Sequence, residues 1–562
     1  MTTHPPISTF LASVLAALLA LGWLLPNHYA PWTTFHMDAW IASMLALVSV
    51  LVIARANVRL PLHGTTLLIA ILITVPLWQH SIGLIPLSGS ALVSAAYLLG
   101  FLVALIAGAL WDSVWPGQVG DFLFLAIGTA ALVSVGLELH QWLSLDVLGV
   151  WNIDVWGAVP FANFAQPNQL ATFLLWGLLA TAWGTVRHKI CLWTALFMAA
   201  FLLFGLALTA SRAGWVGVCI LVAAGWVWRP IWPFRHLPWI VTALGLYFVV
   251  CVNSLVWLSQ LLSVDLPTDV GTAIRIGGQT RLELWPVFVE AILQRPLLGY
   301  GWNHGGMAFM TAMANHPSLN LYFPTAHNLL LDLFVWCGIP MGLFLSIFLL
   351  RWLWTGLRKI RTPDSAVLML VLLVVGNHAM FENPLYHGYF LLPAGLVMGA
   401  INVRLQGPPL FTTGRVPTAL PWLASVVLLA MICWDYRRVE ASYLDLRFEE
   451  AHIKTTGPRG PPDVLLLNQW SEFIYFARVN PFTLTSEEEL ERMRKVASTF
   501  PSKGLFFNFS IALALNDHPE EAELWLKRLC KNEPEAAWRG LRAYWAQLSL
   551  GNQRISNVPW PQ

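Results

Sequence analysis

Charge is what this sequence has least of. Asp, Glu, Lys and Arg make up 11% of its 562 residues, against roughly 25% in soluble domains, which excludes a water-soluble globule as the body of the chain. Cysteine is rare too. The six residues Cys191, Cys219, Cys251, Cys337, Cys433 and Cys530 stand singly, so neither a disulfide framework nor a cysteine metal site is expected. Lys and Arg form no tract, and a nucleic-acid partner is excluded with it.

What fills the chain instead is apolar: 57% hydrophobic residues and a mean hydropathy of +0.63. Thirty tryptophans are too many for one core, but they suit a chain that crosses two lipid–water interfaces repeatedly, where indole rings settle. Runs of about 17 to 25 apolar residues, enough to span a hydrocarbon layer of about 30 Å, occur near 8–26, 38–54, 64–80, 91–110, 120–137, 169–186, 190–209, 213–228, 237–258, 327–351, 364–380, 386–403 and 418–434, thirteen in all. The first follows MTTHPP, which has no Lys or Arg, and no clear cleavage site comes after it. It therefore reads as a span and not a signal peptide.

Positive charge tests that count. Alternate connections hold Arg55, Arg59, Arg187, Lys189, Arg229, Arg235, Arg351, Arg358, Lys359, Arg361, Arg404 and Arg415, while the other set of short loops holds only Arg212. Because cytoplasmic loops gather Lys and Arg, the N-terminus is expected inside and, after thirteen spans, the C-terminus outside. The expected fold is all-α: a polytopic transmembrane body over 1–434, with a large periplasmic loop over about 259–326, and a soluble periplasmic helical domain over 435–562. In that tail, SEEELERMRKVAST and HPEEAELWLKRLCKNEPEAAWRGLRAYWAQL repeat apolar residues at three- and four-residue spacing. Its paired helices resemble a tetratricopeptide unit.

The unusual polar residues all fall on the expected outer face. In NFAQPNQLA, Pro167 suits a first helical position, and Gln166, Asn168 and Gln169 either cap the helix or meet a ligand. In TASRAGW, Ser211 is a plausible cap, and Arg212 beside free backbone N–H groups makes an anion site unless it simply snorkels to headgroups. In the large loop, Thr280 and Glu283 form a capping box that puts Arg281 at a helix start, with Arg275 and Arg295 as further candidate contacts. An arginine fork takes two phosphate oxygens at once. In FPTAHNLLLDLFVWCGIP, Thr325 is the expected cap, with His327 in the first turn, able to accept a proton or a hydrogen bond. Asp332 lies deeper, an acid within a span and hence a site candidate, and Asn328 shares its face. NHAMFENPLYHGYF carries His378, Glu382, Tyr386 and His387. Glu382 would either pair with Arg212 or Arg281 or orient an acceptor.

Together these segments resemble the O-antigen ligase superfamily and, within it, the bacterial protein O-oligosaccharyltransferases. The wider likeness rests on Arg212, on Arg281 and on HNLLLDLFVWCG. The narrower one rests on AQPNQLA and FENPLYHGYFLLP, which look like that branch's QPN and EyPLxY patterns, and on the soluble tail. The resemblance covers most of 150–400, whereas the first 140 residues match only in hydropathy. It implies en bloc transfer of a glycan from undecaprenyl pyrophosphate to Ser or Thr of a periplasmic, pilin-like protein at the bacterial inner membrane, with no metal, cofactor or nucleotide sugar. The sequence agrees, having no Asp-x-Asp pair facing the periplasm and no Gly-rich phosphate loop. Arg212, Arg281 and Arg275 would hold the pyrophosphate, and His327 would assist the incoming hydroxyl. Gln166, Asn168, Gln169, Asn328, Asp332, Glu382 and Tyr386 would touch donor or acceptor. An O-antigen ligase or polymerase would share the donor and differ in acceptor. A flippase would put its ionisable residues at mid-membrane, and a scaffold would leave the Arg and His motifs unexplained.

Overall fold

A computed structural model of the chain describes residues 8–56, 59–155, 159–264, 270–453 and 460–561, without the side chains of 270–280 and 532. The fold is all-α, with 74% helix and 1% strand. In chain order come α1 (Thr9–Gly22), α2 (Phe35–Arg55), α3 (Gly64–Leu72), α4 (Thr74–Ser81), α5 (Ser88–Val114), α6 (Gln118–Trp142), α7 (Pro167–Val186), α8 (Leu192–Leu208), α9 (Arg212–Val227) and α10 (Leu237–Leu262). They are followed by α11 (Val270–Gln294), α12 (Gly305–Ala312), α13 (Leu329–Lys359), α14 (Pro363–Ala379), α15 (Gly388–Leu405) and α16 (Arg415–Glu450). The tail holds α17 (Asn468–Arg478), α18 (Glu487–Thr499), α19 (Lys503–Leu515), α20 (Pro519–Asn532), α21 (Glu535–Gly551) and α22 (Gln553–Ser556). Two short strands, β1 (Leu60–Leu62) and β2 (Phe411–Thr413), pair antiparallel with Leu60 opposite Thr413.

Among the described residues nine helices are long and apolar enough to cross a membrane, with α3 and α4 taken as one. The chain is a multi-pass membrane protein. The other expected spans fall on α1, α8, α9 and α14, apolar helices of 14, 17, 16 and 17 residues. Their starts are set by local chemistry. Ser211 Oγ accepts from Gly214 N at 3.2 Å to open α9, and Thr362 caps α14 with Pro363 at its first position.

Two compact units divide the chain. One comprises Met1–Ile71, Tyr97–Gly277 and Leu349–Leu429, the other Leu72–Ala96, Gly278–Phe348 and Ala430–Gln562. In the first unit, α7 is the central helix, packed against α6, α8, α9 and α14, with the fully buried Trp176 and Trp183 filling its flanks. Several of the basic residues expected inside are paired there. Arg404 Nε meets Asp112 Oδ2 at 2.6 Å, and Arg187 reaches Asp121 at 3.3 Å and Asp364 at 3.5 Å.

The second unit is built on an aromatic-rich core. Met310 of α12 is buried in one cluster with Phe476, Leu490, Phe506, Phe509 and Trp525 of the tail. Lys531 Nζ donates to His316 O at 2.9 Å, and Ser318 Oγ donates to Lys531 O at 2.8 Å. α13 kinks at Gly338, whose φ of 75° favours glycine. A Cβ there would stand 2.4 Å from Leu297 C and O, so the close pass of the preceding loop requires glycine twice over. α16 is one helix of 36 residues that runs unbroken through position 434.

Candidate functional site

In the first unit, the starts of α7, α9 and α15 form one hydrogen-bonded group. Gln166 is the N-cap of α7, its Oε1 accepting from Gln169 N at 2.8 Å, and Pro167 follows it as expected. Asn168 uses both ends of its amide: Oδ1 accepts from Ser211 Oγ at 2.6 Å, and Nδ2 donates to Glu382 Oε1 at 3.4 Å. Since Ser211 is also the cap of α9, Asn168 ties Arg212, the first residue of that helix, to the α7 start. Gln169 is gripped from both sides, by the Tyr389 hydroxyl at its Oε1 and by His387 Nε2, 2.9 Å from its Nε2. The His387 and Tyr389 rings stack at 5.2 Å. One turn into α7, Thr172 Oγ1 meets His378 Nδ1 at 2.8 Å.

The second unit holds the His327 segment, where the structure corrects the expected helix start. α13 begins at Leu329, so His327 lies ahead of the helix, with φ 51°, and not in its first turn. The cap is Asn328 instead of Thr325. Its Oδ1 accepts from Leu330 N at 3.1 Å and Leu331 N at 3.2 Å, because an asparagine oxygen reaches the free N–H groups of the first turn. Asp332 turns back on the loop and accepts from Ala326 N at 2.8 Å, while Thr325 Oγ1 accepts from His327 N at 3.4 Å.

Arg281 needs correction as well. α11 starts at Val270, so Arg281 sits inside a helix and not at its positive end, and the capping-box argument for an anion site there does not hold. Four residues on, Trp285 Nε1 donates to Ala326 O at 3.1 Å. Residues four apart share a helix face, so Arg281 lies on the face of α11 that meets the His327 loop. The side chain of Arg275 lies outside the described residues.

Burial depresses the pKa of histidines outside the spans, His28 and His304 among them. His28 of the first unit falls to about 4, chiefly because burial disfavours the imidazolium, and burial does the same to His304 of the second unit. Sequence reasoning missed Asp38, which reaches into the α15 start. Its signal was present, an acid at the beginning of the span expected over 38–54, and the argument that singled out Asp332 applies to it equally.

Most of the residues described here, though not His28 or Asp38, fall within matches to known families. An O-antigen ligase model matches 197–347, a protein glycosylation ligase model matches 160–183, and a model of the C-terminal part of virulence factor membrane-bound polymerases matches 366–543. A general O-oligosaccharyltransferase of Acinetobacter baylyi is 30% identical over 540 residues, 92% of each chain. The chain belongs to the O-oligosaccharyltransferase family. A ComP-specific O-oligosaccharyltransferase of the same organism is 28% identical over 249 residues, 43% of this chain and 44% of that protein. No solved structure matches. Of the residues named above, Gln166, Asn168 and Gln169 lie in the protein glycosylation ligase match, Arg212, Arg281 and His327 in the O-antigen ligase match, and Glu382 and Tyr386 in the third.

Proposed function

We propose that this chain is a glycosyltransferase that moves a glycan en bloc from undecaprenyl pyrophosphate to Ser or Thr of a periplasmic, pilin-like protein. The observation that carries this reading is the 30% identity to a general O-oligosaccharyltransferase over 92% of both chains. In the reaction the acceptor hydroxyl attacks the anomeric carbon, the bond from that carbon to the pyrophosphate oxygen breaks, and the hydroxyl proton must be carried off. His327 assists the hydroxyl. Arg212 and Arg281, with Arg275, bind the pyrophosphate, whose negative charge grows as it leaves. The amides of Gln166, Asn168 and Gln169, together with Asn328, Asp332, Glu382 and Tyr386, shape the surroundings of donor and acceptor. The split of Lys and Arg between alternate loops supports an inner-membrane orientation with the N-terminus cytoplasmic and the polar helix starts and the 435–562 domain periplasmic.

A second reading, ligation of glycan to lipid A core, draws on the O-antigen ligase match over 197–347. Mass spectrometry separates the two. Cells making a lipid-linked glycan should carry it on periplasmic protein when they express this chain and not otherwise. Glycan found on lipid A core alone would replace the first reading with the second.

A further inference from the structure

We propose that Asp38 is a positioning residue for glycan transfer, acting as the N-terminal cap of α15 although it lies on α2. The inference rests on the reading that the α7 and α15 starts belong to the transfer site. A helix start leaves backbone N–H groups without partners inside the helix, and His387, the N-cap residue of α15, makes no side-chain cap bond. Asp38 supplies it. Its Oδ1 accepts from Tyr389 N at 3.0 Å. Oδ2 takes the Tyr97 hydroxyl at 2.7 Å and the Thr34 hydroxyl at 2.9 Å.

The approach is close as well as fully hydrogen-bonded. A Cβ added at Gly388 would stand 3.1 to 3.3 Å from Asp38 atoms, so glycine is what lets the carboxyl in. Asp38 and Tyr389 are 351 positions apart, and their bond fixes the backbone of the residues flanking Gly388. Those residues are His387 and Tyr389, the two that grip the Gln169 amide. A carboxylate costs more to bury than an amide or a hydroxyl, and here it meets the positive end of a helix whose N-cap and first turn hold the two clamp residues, His387 and Tyr389. Among the described residues no hydrogen bond joins Asp38 to Gln169 or His387; its action runs through the α15 backbone.

The test uses the full-length enzyme in membranes with undecaprenyl-pyrophosphate-linked oligosaccharide and an acceptor protein found by the mass spectrometry above. Asp38→Asn should lower kcat about 10- to 100-fold, the scale seen when an outer partner that orients a site group is lost, and leave KM for the donor within about twofold. In a Tyr389→Phe background, where one side of the clamp is already open, the same substitution should cost at least about threefold less, because coupled residues do not add. Should Asp38→Asn fail to fold, Tyr97→Phe removes a single donor to the carboxylate and should show the same non-additivity with Tyr389→Phe. An equal loss in both backgrounds, or a loss matched by a lower Tm, makes Asp38 purely structural and overturns the proposal. If the wild-type chain glycosylates no protein, the transfer reading has failed and this inference falls with it; if it does and Asp38→Asn turns over normally, only the inference has failed.

Discussion

The start of α7 is held by side chains from 214 to 220 positions away, Glu382, His387 and Tyr389, whereas the start of α13 is held by Thr325, Asn328 and Asp332, which bond backbone within six positions of themselves. The first arrangement exists only when α7, α9 and α15 are already together, so it reports the tertiary fold and links distant segments. The second closes short loops at little entropic cost and survives changes elsewhere. A residue carried by the local arrangement can therefore be replaced with little effect on structure, while replacing one in the long-range arrangement disturbs its partners.

The largest expected effect is at His327. Replacement by Ala should lower transfer about 100- to 10,000-fold, the contribution of a positioned base, with donor binding retained, since Asn328 and Asp332 make the bonds that start α13. Replacement by Gln sharpens this, because an amide holds a hydroxyl but takes no proton at neutral pH; transfer at close to the normal rate by His327→Gln would reduce the residue to a positioning role. Next come Arg212→Lys and Arg281→Lys. Each should cost about 2 to 4 kcal/mol of transition-state stabilisation, because a point charge does not reproduce a bidentate contact. Arg212 stands on the cap that Asn168 ties down, so Asn168→Ala should impair turnover through Arg212. Near-normal kcat in both lysine variants would assign the arginines to folding or headgroup contact.

Packing in the second unit gives a smaller and purely structural effect. Met310→Ala should destabilise that unit by about 2 to 3 kcal/mol, as expected for a buried methionine, read as a lower midpoint of tail unfolding by tryptophan fluorescence. An unchanged midpoint would mean that α12 adds nothing to the tail core. The smallest effect is on pH dependence. His28 and His304 each have a folded pKa of about 4 against an ordinary 6.5. Between those values the unfolded chain binds more protons, so both contribute stability that is complete above about pH 6.5 and is lost as the pH falls toward 4. Thermal unfolding followed from pH 7 to 4 should show the decline, and it should be shallower in His28→Gln and in His304→Gln. A profile unchanged by either substitution would place both rings in water.

Much of this was legible in sequence because it is local. Apolar runs located the membrane helices, Pro167 and Ser211 marked two helix starts, and the polar motifs pointed to the helix ends that carry them. What escaped depended on distance or on choosing among equivalent local signals. Asp38 meets its partner 351 positions away, beyond any spacing rule. At α13, Thr325 was the expected cap, but the helix starts at Leu329 and Asn328 caps it instead. The Thr280–Glu283 pair carried a capping pattern that the longer α11 overrode.

The burial of Met310 among tail side chains bears on engineering. A chimera that exchanged 435–562 alone would set a foreign surface against Met310, His316 and Ser318, and would lose the bond from Lys531 Nζ to His316 O. Grafts cut to include the segment from α12 through Ser318 with the tail would carry their own contacts along, and such grafts are the ones expected to express.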